Sequence, residues 1–305
     1  RAKLFKPPSF TELAWYCNSQ SIIFLKNILT RFVGYKHVWS VSFVPFSGLK
    51  LNLSEGITIQ NPKGRFLADP FVISGENGDY CFVEDFSYSE NKGKISCFRI
   101  SHNGYKYMGT ALEEKFHLSF PYIFQFEGKL YMCPETAQIN EVRLYENISF
   151  PNKWVYKQTI LKNISASDTV IFKQKNYWYL LTSICSSDMD DRLSELHLYS
   201  SDNPLSSNWE RCSFNPVIFD SQKARNGGFF KLGDTLYRIN QLHEKGRYGT
   251  SIEINQINTV ERHQYSERSI FSVEPTFFKN LTGIHHLHMN NNFCVYDHSR
   301  FKKIN

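Results

Sequence analysis

The sequence has no block of five or more like charges, and its net charge of +6 is spread over 305 residues. A surface that tracks a phosphate backbone needs a dense basic stripe, so nucleic-acid binding has little support. There is no Cys-x-x-Cys pair among the seven cysteines at 17, 81, 97, 133, 185, 212 and 294, which argues against zinc sites and redox motifs. Most of them sit in apolar runs, such as Tyr80-Cys81-Phe82 and Phe293-Cys294-Val295. They read as small buried hydrophobes, a usage that fits a reducing compartment. Also missing are Gly-x-Gly-x-x-Gly, a Walker loop and Gly-x-Ser-x-Gly, so the sequence predicts no cofactor. No apolar run is long enough to cross a bilayer. No secretory leader is visible, though the chain starts at Arg1. The expected location is therefore cytoplasmic, with membrane association as the alternative.

Aromatic residues, in contrast, make up 16% of the chain. They favour strands first and sugar sites second. Residues 1–36 have a different texture from the rest and predict a helical extension. Ile22, Leu25, Ile28, Leu29 and Phe32 fall near one helical face. One reading is a helix packed on the main domain. The other is a peripheral contact of residues 21–33 with a membrane or partner.

From residue 37 to 305 short alternating segments are separated by Gly, Asn and Asp turns, the pattern of an all-β domain. One hairpin unit recurs, beginning at Pro70, Pro121, Asp168, Gly228 and Ile284. A period of about 50 to 60 residues suits one four-stranded blade per copy, so five copies predict a five-bladed β-propeller. The last copy has too little chain after it for a full blade. The segment Val38–Val44 is expected to complete it and close the ring.

Polar residues fall at equivalent points of these hairpins. The first strands carry Asp69, Asp168, Arg225 and the pair His285/His286, and the second strands end in Glu84, Glu135, Gln241 and Asp297. Core packing would place apolar residues there. Carboxylates converging from different blades suit acid/base or nucleophilic work on a glycosidic bond. Asp69, Glu135 and Asp168 are the expected catalytic set. Glu84, His117, Arg225, Arg238, Gln241, Arg247, Tyr248, His285 and Asp297 are the expected substrate contacts. The arginines and His117 suit a phosphorylated or nucleotide-activated sugar, or else they neutralise funnel acids. Histidines at 285, 286 and 288 raise the question of a metal. On a strand only 286 and 288 share a face, so no metal site is predicted.

Several runs resemble a known family: Phe66-Leu-Ala-Asp-Pro70, Gly93-Lys-Ile-Ser96, Phe116-His-Leu-Ser-Phe-Pro121, Tyr131-Met-Cys-Pro-Glu-Thr136 and Phe150-Pro-Asn-Lys-Trp154. Ala224-Arg225, Tyr237-Arg238, Gln241, Arg247-Tyr-Gly249 and Gly283-Ile-His285 follow in order. Together they are similar to the N-terminal domain of plant glucosamine inositolphosphorylceramide transferases. The resemblance implies a five-bladed propeller like those of arabinofuranosidases, invertases and levansucrases. In that wider group an Asp of the first blade is base or nucleophile and a Glu is the acid, and Asp69-Pro70 matches the first of these. The wider group runs Asp, Asp, Glu along the chain, whereas here Glu135 precedes Asp168. The expected activity is glycosyl transfer in polysaccharide or glycolipid assembly. A furanosidase-like glycoside hydrolase and a non-catalytic glycan-binding module are the alternatives.

Overall fold

In the computed structural model, the described residues are 7–32, 35–186, 191–244 and 247–303. Two compact units divide the chain, one of residues 1–38 with 300–305, the other of 39–299. The first contains a helix, α1 (Phe10–Phe32), which begins well before the segment expected from periodicity. Ser9 starts it by accepting the Glu12 amide on its hydroxyl, while Glu12 reaches back to the Ser9 N–H at 2.7 Å. Ile22 and Leu25, expected on a buried face, are exposed. The side chains of Ile28, Leu29 and Phe32 lie outside the described residues.

The strands form five antiparallel sheets arranged as the blades of a propeller. In chain order they begin with β1 (Tyr35–Pro45) and β2 (Ile57–Thr58). The first blade is β3 (Arg65–Gly75), β4 (Gly78–Ser87), β5 (Lys92–Ser101) and β6 (Gly104–Leu112). The second is β7 (Ser119–Phe126), β8 (Lys129–Glu135), β9 (Glu141–Ser149) and β10 (Lys153–Lys162). The third is β11 (Ala166–Gln174), β12 (Tyr177–Ile184) and β13 (Glu195–Ser201), with the short β14 (Glu210–Arg211) and β15 (Ile218–Phe219) both pairing β13. The fourth is β16 (Asn226–Leu232), β17 (Thr235–Glu244), β18 (Arg247–Glu261) and β19 (Gln264–Val273). The fifth combines both parts of the chain: β20 (Leu287–Met289) and β21 (Phe293–Lys303) continue into β1 and β2, in the order β2-β1-β21-β20. The chain's early strand thus completes the last blade, as its short fifth hairpin requires. Pairing the two parts gives the last blade four strands, as in the first, second and fourth.

Apolar side chains fill the seams between neighbouring blades. Phe82 and Ile95 of the first blade meet Met132, Tyr145 and Trp154 of the second. Val41 and Phe43 of β1 pack with Leu67, Val72 and Cys81. Each fully buried Phe, Leu or Val contributes about 1.5–3 kcal/mol, which is why aromatic-rich alternation specifies this stack of sheets.

The innermost strands share a device that periodicity alone does not reveal. Hairpin register slips between Ala68 and Phe71, Ser119 and Tyr122, Ser167 and Val170, and Asn226 and Gly228. At each slip the backbone turns to positive φ: Asp69 (48°), Phe120 (46°), Asp168 (53°) and Gly228 (136°). These are β-bulges at one repeated level of the ring, and they re-aim the residues they carry. Non-glycine residues in this region are strained and cluster at functional sites. In the fourth blade glycine is required for a second reason. A Cβ on Gly228 would lie 2.0 Å from the Leu287 carbonyl oxygen of the next blade, and one on Gly227 would lie 2.4 Å from that of His285. Gly228→Ala is expected to lose about 2–4 kcal/mol of stability, from steric displacement and the positive φ. Gly233→Ala is the control, since it shares positive φ (57°) but has open space around it. Urea unfolding midpoints check this, and equal losses in the two variants would show that the interblade contact does not matter.

Candidate active site

Ring closure and the bulges bring one set of polar side chains together at the ring's centre. Asp297, on β21, is fully buried. Its Oδ1 accepts the backbone N–H groups of His285 (3.0 Å) and His286 (2.9 Å), and its Oδ2 accepts that of Asp69 (3.2 Å). The last blade is thereby tied to the first at Asp69. His285 bridges the two acids, with Nδ1 2.8 Å from Asp297 Oδ2 and Nε2 3.1 Å from Asp69 Oδ1. Burial alone would push this imidazole down, but Asp297 and Asp69 carry it up to about 10. A charged His285 in turn fixes Asp69 as a carboxylate. Burial acts upward on Asp69, and the hydrogen bond and charge of His285, with His286 and Arg225, bring it down to about 2. The Phe120 N–H also donates to Asp69 Oδ2 (3.2 Å).

Glu84 has the opposite setting. It sits on β4 opposite Ala68, next to Asp69 in the chain, and its side chain is 9% exposed. Burial, then the nearby charges of Asp69, Glu135 and Asp297, push its carboxyl well above the usual range, against the pull of His285. The neighbouring imidazole of His117 does not relieve this. Its Nδ1 accepts the Gly93 N–H (2.9 Å), and burial lowers its proton affinity. The neutral ring therefore carries its proton on Nε2, which lies 3.6 Å from Glu84 Oε1. The His117 side chain is 31% exposed and so links Glu84 to solvent. A Cβ on Gly93 would come within 3.0 Å of Glu84 Oε1, His117 Cε1 and the Leu118 carbonyl oxygen, so this corner needs glycine. Gln138 Oε1 accepts the His117 N–H (2.7 Å) and holds the loop.

Asp168, the expected third catalytic acid, is committed elsewhere. Its Oδ2 accepts from Arg225 Nε (2.6 Å) and Gln241 Nε2 (3.1 Å). Burial, with Glu135 and Asp69 nearby, pushes its carboxyl up against Arg225. We assign the pair as ionised, because a neutral acid would leave a buried guanidinium without its charge partner. Arg225 also lies 3.5 Å from Glu135 Oε2, which accepts the Asp168 N–H (3.3 Å). Glu135 is thus inside the cluster, within ion-pair distance of Arg225.

The remaining expected contacts divide. Arg238 is fully buried, and its guanidinium is gripped by Glu267 (Nε at 2.7 Å), the Asn226 side chain and the Lys223 carbonyl. It positions Asn226, whose Nδ2 donates to the Asp168 carbonyl (2.7 Å). Expected as a substrate contact, Arg238 instead stands in a supporting place: it is fully buried and four of its five N–H donors are taken by its own blade and the connection that leads into it. Gln241 is likewise buried and holds Asp168. Arg247 is exposed at the start of β18. Tyr248 stands at the exposed rim, its ring 5.3 Å from His285, 5.2 Å from His243 and under the Arg225 guanidinium (5.5 Å). Trp39, not among the expected contacts, packs tilted against His285, its ring centroid 4.0 Å away. Together Tyr248 and Trp39 give the mouth an aromatic wall of the kind that suits sugar faces.

Asp69, His285 and Asp297 are the described residues whose ligand atoms could converge on a cation. Both ring nitrogens of His285 lie within ion-pair distance of the two acids, so a cation there would compete with the imidazolium for them. His288 is not part of this group. Its Nδ1 accepts the Val72 N–H (3.2 Å), and with His286 it packs on Phe71.

Among solved structures, the fold is similar to a family 117 glycoside hydrolase from the marine bacterium Zobellia galactanivorans, at TM-score 0.55 and 12% identity over 86% of this chain and 90% of that one. It is also similar to an α-L-arabinanase from Cellvibrio cellulosa complexed with arabinohexaose, at TM-score 0.52 and 13% identity over 76% and 86% of the two chains. In sequence, glucosamine inositolphosphorylceramide transferase 1 of Arabidopsis thaliana is 32% identical over 215 residues, 68% of this chain. The chain spans 28% of that relative's length. A profile described as glucosamine inositolphosphorylceramide transferase 1, N-terminal, matches residues 54–290. This covers most of the propeller and every residue of the acid cluster except Asp297, and the chain belongs to that N-terminal family.

Proposed function

We propose that the chain is a carbohydrate-active enzyme unit that works on a glycosidic bond at the ring's centre, in the direction of glycosyl transfer. The observation that carries this is a pair of neighbouring carboxyls with opposed settings. Asp69 is held as the anion by His285, and Glu84 is pushed toward the protonated form. That is the division of labour that glycosidic chemistry needs: one acid to donate to the leaving oxygen, one carboxylate to act as nucleophile or base. In this reading Asp69 is the carboxylate and Glu84 the proton donor, with His117 returning protons to Glu84 from solvent. Glu135 lies beside them to meet sugar hydroxyls, and the Asp168–Arg225–Gln241 group fixes the cluster's far wall. The relatives' name, glucosamine inositolphosphorylceramide transferase, and the glycoside hydrolases that share the fold support a glycan or glycolipid as substrate.

The cluster's charge also bears on the substrate. Asp69, Glu84, Glu135, Asp168 and Asp297 face two cations, Arg225 and His285, and both cations are engaged by acids. A neutral or cationic sugar fits this centre, and a phosphate does not. The test is turnover: purified chain incubated with glycan or glycolipid acceptors and sugar donors, products read by mass spectrometry. Transfer or hydrolysis that disappears in Asp69→Asn supports the reading. Glycan binding with no turnover across donors would instead favour the non-catalytic module.

A further inference from the structure

A second cleft has the charge that the centre lacks. Between the β2–β3 connection and the outer strands of the first blade runs a groove of about 550 Å³, lined by Asn61, Lys63, Arg65, Lys94, Tyr105 and Tyr107 among others. Lys63 is exposed and makes no ion pair among the described residues. Arg65 is ion-paired with Asp85, which fixes the direction of its guanidinium. Its Nε and Nη2 bond to Asp85 (2.6 and 3.2 Å), and Asp85 is itself held by the Ser96 hydroxyl (2.8 Å), which leaves Nη1 uncommitted. Lys94 lies 3.5 Å from Glu113, a loose contact. Three cations thus line the groove: Arg65 is paired with Asp85, Lys94 is loosely paired with Glu113, and Lys63 makes no ion pair among the described residues.

The groove is built and connected. Tyr105 accepts the Gln60 N–H on its hydroxyl (2.9 Å), which pins the connecting loop over the blade. Tyr107 is half exposed on the edge strand β6. At the inner end, Asn61 Nδ2 donates to the Trp39 carbonyl (2.6 Å), and the Trp39 ring is the one that packs against His285. The cationic groove and the acidic centre therefore share a wall. A pre-oriented guanidinium edge, two ammonium groups and an aromatic face are the elements that hold a phosphate ester and the polyol attached to it.

We propose that this groove binds a phosphate ester, held by Lys63, Lys94 and the open edge of Arg65, with Tyr107 against the attached sugar or polyol. Its role rests on the glycan-active reading of the centre: the groove would seat the phosphorylated part of a substrate whose sugar lies over Asp69 and Glu84. The anion-binding expected of Arg225 and Arg238 moves to these cations.

The experiment is calorimetric titration of the full chain with glucose 1-phosphate, inorganic phosphate and glucose. It is paired with flotation on phosphatidylcholine vesicles with and without phosphatidylinositol. Glucose 1-phosphate is expected to bind more tightly than glucose. Its affinity should fall about tenfold in K63E/K94E, the loss of one or two charge-assisted contacts. Lys63→Glu alone, at an unpaired surface position, should show part of the same loss and guards against misfolding of the double variant. Flotation that needs phosphatidylinositol and is lost in K63E/K94E identifies a lipid headgroup; soluble binding without flotation identifies a free phosphate ester. Both support the groove. Equal affinity for glucose and glucose 1-phosphate, no binding of either, or affinity unchanged in both variants overturns it. Asp69→Asn should leave phosphate affinity intact, so a chain that binds phosphate here yet turns over no glycan would remove only the enzymatic reading.

Discussion

Asp69→Asn is expected to reduce turnover by at least about 10³-fold, and Glu84→Gln by about 10²–10⁴-fold, the range for a positioned acid or base. The two losses should differ in kind. Asp69 uses Oδ2 for the Phe120 N–H and Oδ1 for His285; Asn has one acceptor oxygen, so it keeps one of these contacts and the shape of the side chain while the negative charge is gone. No change of leaving group restores that charge. Gln at 84 removes only the proton. A substrate whose leaving group needs no protonation should therefore recover most of the lost rate in Glu84→Gln and none of it in Asp69→Asn. The pH profile carries the same signature. Asp69, brought down to about 2, stays ionised across the working range, so the acid side is not set by it. The alkaline limb should follow loss of the Glu84 proton, displaced upward from an ordinary glutamate by burial and by Asp69. This limb is absent in Glu84→Gln. Steady-state rates against pH for the wild type and both variants decide it. A glutamine variant that retains the limb and gains nothing from a better leaving group would move the proton donor to Glu135.

Much of the architecture was readable because it rests on local periodicity. Each hairpin from Pro70, Pro121, Asp168, Gly228 and Ile284 repeats the same alternation, and a fifth hairpin short of two strands has few ways to be completed. The helix was readable only in part. Residues 10–20 form its first half, yet Asn18, Ser19 and Gln20 break the apolar pattern that periodicity looks for. Within the site, the acids of separate blades were visible as polar residues where core residues belong. What could not be read was their division of labour. Arg225 and Arg238 look alike in sequence, each at a strand of the fourth blade; only the partner across the sheet, Glu267 from β19, shows that one faces inward to its own blade. Glu84 was visible as a polar strand end, but its raised proton affinity comes from three other blade positions and from burial. The bulges at Asp69 and Asp168 are likewise a property of register between strands.

The ring's centre also sets how the fold responds to pH, through buried histidines with opposed settings. His286 and His288 are fully or nearly buried on aromatic surfaces and are lowered from about 6.5 to about 3 by burial; His243 is lowered to about 4, by burial and then by Arg225 and His285. Unfolded, each would bind a proton below pH 6.5; folded, each refuses it until pH 3–4. Stability is therefore lost as pH falls from 6.5, at about 1.4 kcal/mol per pH unit for each histidine. His285 works in the other direction. Its folded value near 10 exceeds the unfolded 6.5, so its contribution is full below pH 6.5 and is lost as pH rises toward 10. Asp69 adds stability that is complete above 3.8 and disappears only as pH falls through about 2. The acid losses thus begin long before Asp69 titrates. At pH 5, His286 and His288 together should cost roughly 4 kcal/mol, a large share of a typical 5–15 kcal/mol. Maximum stability is expected close to pH 6.5, where the losses from three histidines on the acid side give way to losses from His285 and from Glu84, whose raised carboxyl costs stability as pH climbs above 4.5. Urea unfolding between pH 4.5 and 9 measures both slopes. In the double variant H286L/H288L, whose new side chains pack on Phe71 without a proton to gain, the acid slope should drop by the equivalent of two protons. An acid slope that survives this change intact would place the sensitivity outside the ring's centre.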